Sequence, residues 1–498
     1  MSLLFKGGRI KSTKKEVSHF ISSIEDDVKL LKHVVAINKA HTIMLMEQKI
    51  IGEEDAVEIL KALKQEEFKI KPWLEDIHVC IEEEVIRKTK ESAGENLHVA
   101  KSRNDQVATA IRMGLREELV DLMKIILGFQ TKLLAKAEKH VDTIICGYTH
   151  LRPAQPITFA HYLLYQFDVF QRHFERLVEC YNRVNMCPMG AAALATTSFP
   201  INRERVAELL GFNEVLENSI DAVSSRDFVM ETLAVLSMLA VDVSRLVEDM
   251  IIWSAPEFNL IEIPDEFCST SSIMPQKKNP DVLEVIRARM GHVIGNFATC
   301  ALILKSLPSG YNLDFQEVTP KLWESCAKIS DSLNILSKLI AACEPMQNLE
   351  NPNLAFSTFT ELIRVLFQKY HVPFRTAHKI VGALSRKLVE NGLHPKDVTS
   401  QMLKETAEEV AGLSLSVNES DIKSSVDVAN FVKTHSVRGG PSPVEARRMV
   451  DSRRNMLALS NAKVAEVEEK MATASKNLNS LIEELCKATK PKSLKIKM

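Results

Sequence analysis

The spacing of proline narrows the fold more than any other feature of this chain. None occurs between Pro72 and Pro153, nor between Pro200 and Pro256. Proline ends or kinks a helix, so both spans are free to form long ones. In the first, Val107, Ile111, Leu115, Leu119, Leu122 and Ile126 recur at steps of three and four, a seam for packing against another helix. In the second, residues 228–253 are apolar on almost every side, Leu233, Leu236, Val243 and Val247 among them. Such a helix belongs inside a bundle or between subunits.

Proline clusters at Pro153/Pro156, Pro188/Pro200, Pro256/Pro264, Pro275/Pro280 and Pro308/Pro320 mark the turns. Five long helices between them predict an all-α chain with a central bundle over residues 104–353. A smaller helical domain, 1–103, precedes it and another, 354–498, follows. Within the last, Val372-Pro373-Phe374 and the run Arg438–Pro443 read as breaks. A polar amphipathic helix is expected from Asn461 onward, with its basic end, Lys490–Met498, frayed.

Composition agrees: glycine (17 of 498 residues) and aromatics (6%) are scarce, which favours helix over sheet. A net charge of −2 gives no footing for nucleic-acid binding. The nine cysteines form no CxxC pair and no metal-ligand spacing, so they read as reduced thiols of a cytoplasmic protein. The first residues, Met1–Arg9 with Gly7-Gly8-Arg9, lack the apolar stretch of a signal peptide, and no apolar run is long enough to span a bilayer.

The chemistry is concentrated in a few polar segments. Ser269-Thr270-Ser271-Ser272 leads through Lys277-Lys278 to Asn279-Pro280, where Asn is a favoured N-cap and Pro a favoured first helical residue. A hydroxyl-rich, cationic loop running into the positive end of a helix suits a carboxylate. His98–Gln106 brings Arg103, a bidentate fork, together with Asn104. Gly147–Pro156 sets His150 between Thr149 and Arg152, and Tyr311–Glu317 carries Tyr311 and Gln316. Taken singly, each has a plainer reading. Arg103 with Asp105 would be a salt-bridged cap, His150 a satisfied polar residue, Ser269–Ser272 a linker, and Tyr311 and Gln316 helix-start residues. Together, Arg, Lys, His, Asn, Thr and Ser without metal ligands suit a dicarboxylate and acid–base chemistry.

Ser271-Ser272-Ile273-Met274-Pro275-Gln276-Lys277-Lys278-Asn279-Pro280 resembles the signature of the fumarase/aspartase superfamily, and in this variant that of the argininosuccinate lyase family. Ser23 with Asp27, Ser102–Thr109, Ser224–Val229, Trp253-Ser254 and Val372–Arg375 extend the similarity over nearly the whole chain. The resemblance implies a homotetramer with shared active sites that cleaves argininosuccinate to arginine and fumarate by anti β-elimination, with no cofactor and no metal. It implies Ser271 as general base, and His150, paired with Glu284, in proton transfer. Lys277 and Asn279 would hold the carboxylate that takes up the carbanion's charge. Ser23, Arg103, Asn104, Thr149, Tyr311 and Gln316 would bind substrate, and His78 is a weaker candidate. The chain departs from the family at Thr270, usually Gly, and at Thr319, usually Lys. The alternatives are a sister lyase acting on another N-substituted aspartate and a non-catalytic structural relative; against the second, all five catalytic positions are filled.

Helix direction adds one expectation. Neighbouring helices of an up-and-down bundle run oppositely, so of the loops of His150, Ser271 and Arg103, each ahead of a long helix, some fall at opposite ends. A helix of about 30 residues sets its ends roughly 45 Å apart, so the site groups can meet only between chains.

Overall fold

The computed structural model describes residues 13–64, 68–71, 73–347 and 352–488. Gly7-Gly8-Arg9, Pro72, and the basic end Lys490–Met498 lie outside the described residues.

Helices α1 (Leu31–Glu47), α2 (Glu53–Leu63) and α3 (Ile77–Lys88) form an N-terminal layer. The long helix α4 (Arg103–Lys139) follows, started by a capping box in which Ser102 and Asp105 satisfy each other's backbone N–H groups. A hairpin, β1 (Ile144–Thr149) and β2 (Arg152–Thr158), leads into α5 (Phe159–Val184). The short α6 (Ser219–Ser224) precedes α7 (Asp227–Ser254). A second, minimal hairpin, β3 (Ser269–Thr270) with β4 (Lys278–Asn279), leads into α8 (Asp281–Leu304), and α9 (Phe315–Ala342) completes the bundle. Pro320, expected at a turn, lies inside α9. It sits close enough to the helix start that the chain loses only one backbone donor there.

Side-chain bonds fix the directions. Asn296 of α8 reaches Ser325 of α9 (3.1 Å), and Cys300, one turn on, reaches back to Val318, so these two run antiparallel. Arg112 near the start of α4 bonds Arg183 O at the end of α5 (2.9 Å), another antiparallel pair. Lys136 at the end of α4 meets Ala341 O at the end of α9 (3.5 Å), so α4 and α9 run parallel.

One core runs through the N-terminal layer and the bundle, and it also takes in residues 428–482. Residues 359–422, with α10 (Phe359–Tyr370) and α11 (Phe374–Glu390), close a separate core. The last helix, α12 (Pro443–Ala488), returns antiparallel along α4, through Arg447–Asp142 (2.8 Å), Arg454–Glu138 (2.9 Å) and Glu468–Lys124 (2.8 Å). It begins well before Asn461: Pro443, read as a break, is a helix start, with Ser442 Oγ accepting from Glu445 N.

The apolar helix α7 buries Leu233, Leu236, Val243 and Val247, yet leaves Met238 and Val241 exposed. On α8 the outward face carries Val285, Ile294 and Leu302, interleaved with Ala288, Gly291, Gly295 and Ala298. This is a contiguous apolar face of small and branched residues that one chain does not cover.

Candidate active site

The expected site residues gather at the two ends of the bundle. At the end where α4 and α9 start, a cavity of about 170 Å³ is lined by Ser23, Arg103, Asn104, Tyr311 and Gln316, five of the six predicted substrate-binding residues. Four carboxylates that were not on that list, Asp26, Asp27, Glu75 and Asp76, line it with them, and so does Thr319. Arg103 ion-pairs with Glu75 (3.3 Å) and Asp76 (3.0 Å), partners from another segment in place of the Asp105 that the plainer reading gave it. Asp76 also caps α3, accepting from Val79 N. Asn104 donates its side-chain amide to Ala193 O (3.0 Å). Behind it the fully buried Asp105 accepts from Ser102 N, Gly190 N and Ala192 N, pinning the 190–192 turn to the start of α4.

Ser23 Oγ donates to Asp27 (2.7 Å). Burial pushes the Asp27 carboxyl up to about 7, against the lowering effect of that hydrogen bond. A carboxyl poised there becomes anionic readily when a cation arrives. Net acidity fits the cavity to a guanidinium or ammonium group. His78 lies outside this lining, buried, its pKa lowered to about 4 by desolvation.

At the opposite end stand two hairpins. The β1–β2 hairpin carries Thr149 and His150 at its exposed tip, so His150 does not open a helix as its position before α5 had suggested. His150 and Leu151 both have φ of 56°, the pair of left-handed residues that a tight two-residue hairpin turn requires. Gly147 lets the strands close: a Cβ there would lie 2.8 Å from Gln155 O. Tip and hairpin border a cavity of about 590 Å³.

On the β3–β4 hairpin, Ser271 Oγ accepts from Ile273 N (3.2 Å) and Met274 N (3.1 Å). Two amide donors on a hydroxyl oxygen favour its anionic form. Lys278 is tied to Glu262 (2.6 Å) and Asp265 (2.8 Å), and those carboxylates raise its pKa. Lys277, beside it, makes no ion pair among the described residues and lines a cavity of about 490 Å³ with Met274 and Pro280. Thr270 is extended in β3 and needs no left-handed backbone. Asn279 is not the helix cap that the sequence suggested: it belongs to β4, paired with Ser269, and α8 starts one residue later than expected, after Pro280. The strand pairing claims the backbone that a cap would have used. Glu284 is exposed in the first turn of α8.

Within one chain these groups do not meet. Ser271, Lys277, Asn279 and Glu284 precede or open α8, and Tyr311 and Gln316 sit at the start of the antiparallel α9. The 24 residues of α8 separate the two sets by about 36 Å. His150 and Glu284 form no bond within the chain.

A helical bundle with these loops is the architecture of the lyase family described as Lyase, which matches residues 11–295, and the family described as argininosuccinate lyase C-terminal matches 356–433. The chain is 40% identical over 490 residues to the argininosuccinate lyase of Methanococcus aeolicus, covering 96% of this chain and 99% of that one. It is 41% identical over 486 residues to that of Methanocaldococcus jannaschii, covering 96% and 98%. Among solved structures, an EDDS lyase in complex with formate superposes with a TM-score of 0.85 at 27% identity, over 93% of each chain. The chain belongs to the argininosuccinate lyase family.

Proposed function

We propose that this enzyme cleaves argininosuccinate to arginine and fumarate, and that Ser271 is its general base. The observation that carries the reading is the Ser271 oxygen held by two loop amides, on the same hairpin as the unpaired Lys277. Ser271 removes a proton from the succinyl carbon beside a carboxylate. The electron pair moves into that carboxylate, whose added charge is met by Lys277, Asn279 and the start of α8. The carbon–nitrogen bond then breaks, and the departing guanidino nitrogen takes a proton by way of His150, with Glu284 as its partner. The acidic cavity of Ser23, Asp27, Tyr311 and Gln316 holds the cationic end of the substrate, and Arg103, Asn104 and Thr149 hold carboxylates.

The site is assembled between subunits of a cytoplasmic homotetramer. Support comes from the distance between the two sets of residues and from the uncovered apolar face of α7 and α8, which antiparallel bundles would bury against each other. In this reading 104–353 is the bundle that brings the loops together; residues 1–103 and 354–498 flank it along the chain, and within them 359–422 close a core of their own.

The test is direct: purified protein with argininosuccinate, followed by fumarate absorbance. A second reading, a sister lyase on another N-substituted aspartate, gains from the likeness to the EDDS lyase and from Thr319, a neutral residue in the acidic cavity. Fumarate released from such an aspartate but not from argininosuccinate would select it.

A further inference from the structure

Arg226 stands just ahead of α7 and is buried, with 4% of its surface exposed. Its hydrogen bonds go to Ser225 O (2.8 Å) and Val223 O (3.3 Å), the carbonyls that end α6. Nε and the second terminal nitrogen have no hydrogen-bond partner, and no carboxylate pairs with the group among the described residues. The guanidinium lies 4.1 Å over the ring of Phe315. Phe315 in turn meets Tyr311 edge to face at 5.6 Å, and both line the acidic cavity. Burial lowers the Arg226 pKa to about 10; Tyr311 works the other way and Arg112 adds to the lowering.

A buried cation without an anion is a poor way to stabilise a fold, because an apolar side chain of similar size would fill the space without the desolvation cost. Arg112 offers a contrast. It uses the same device, bonding Arg183 O and Val184 O over the ring of Phe228, but its aromatic partner points into the bundle core. Arg116 sits over Phe212, which borders a different cavity, whereas the ring under Arg226 is a wall of the acidic cavity itself.

We propose that Arg226 is a positioning residue for substrate binding: seated on Phe315 and clamped to the end of α6, it fixes the Tyr311–Gln316 wall of the cavity from behind. The inference rests on the reading of that cavity as the substrate's. Because the wall binds one end of the substrate and the elimination is carried out by the hairpin at the other end of the bundle, the expected signature is in KM. Steady-state kinetics of full-length Arg226→Met and Phe315→Leu should each show KM raised roughly tenfold with kcat little changed. The double variant should be no worse than either single one, since both remove the same support. Arg226→Lys keeps the charge but loses the planar stacking, and should recover only part of the affinity. If Arg226→Met does not fold, Phe315→Leu and Arg226→Lys carry the test.

Gln316→Ala separates the two possible failures. A raised KM in Gln316→Ala with unchanged KM in the Arg226 and Phe315 variants would overturn the proposal and leave the cavity reading in place. Unchanged KM in all of them would overturn both. A lowered melting temperature with kcat reduced in step and KM constant would make Arg226 structural, and would also overturn the proposal.

Discussion

The two ends of the bundle are built differently. Around Ser23, Arg103 and Tyr311 the polar groups are enclosed, ion-paired and hydrogen-bonded to one another within a single chain. Around Ser271 the groups stand on short hairpins, and Ile273 at the tip is 85% exposed. The first end has its cavity walls in place within one chain. The second leaves the proposed proton-transfer groups open to water, which weakens every charge interaction that the proposed chemistry needs.

Four measurements would break or sharpen that contrast. The largest effect belongs to the open end: Ser271→Ala should keep its melting temperature and lose turnover by roughly a hundredfold or more. Turnover close to that of the parent would remove Ser271 from the mechanism.

The adjacent lysines should split next. Lys277→Met removes a charge that pairs with no carboxylate among the described residues, and its kcat should drop roughly tenfold or more, while Lys278→Met only unties the hairpin base from Glu262 and Asp265 and should cost a few-fold. The reverse order would mean that the bound loop turns the other lysine inward.

A third test asks whether the two hairpins of the open end act from different chains. His150→Asn and Ser271→Ala chains, each inactive alone, should regain activity when unfolded and refolded together, because some mixed sites then contain both intact groups. Mixed assemblies that form but stay inactive would require each chain to build its own site.

The smallest effect concerns the enclosed end. With the Asp27 carboxyl raised to about 7, its anion is present above that pH, so KM for a cationic substrate should fall a few-fold as pH rises through 7. The sign for stability is opposite: a raised carboxyl pKa contributes stability below the unfolded value near 4, and that is lost as pH climbs toward 7. Asp27→Asn should flatten the KM profile; an unchanged profile would place the titrating group elsewhere.

Much of this was legible in the sequence, because proline spacing and apolar periodicity report on single helices. The five bundle helices and the hydroxyl–lysine loop follow from residues close in sequence. The β1–β2 hairpin was not legible, since Pro153 and Pro156 mask a strand pattern that is only a few residues long. Nor was the acidity of the enclosed cavity. It depends on Asp27, Asp76 and Tyr311 arriving from three distant segments, and on burial that no local pattern encodes. Asn279 shows a nearer limit: a cap signature and a strand pair competed for one backbone, and the pair prevailed. The partition of site residues between ends was readable only as geometry, from helix length and direction.

The 46 residues of α12 make a rod about 69 Å long. It is bolted near the His150 hairpin by Arg447 and Arg454, and its far end, with Leu478 and Ile482, joins the main core. In mechanical terms it is a brace along α4 that fixes the span between the two halves of the site. Shortening the brace from its C-terminal end should therefore soften the molecule progressively, and amide exchange would quicken first in the layer that its far end supports.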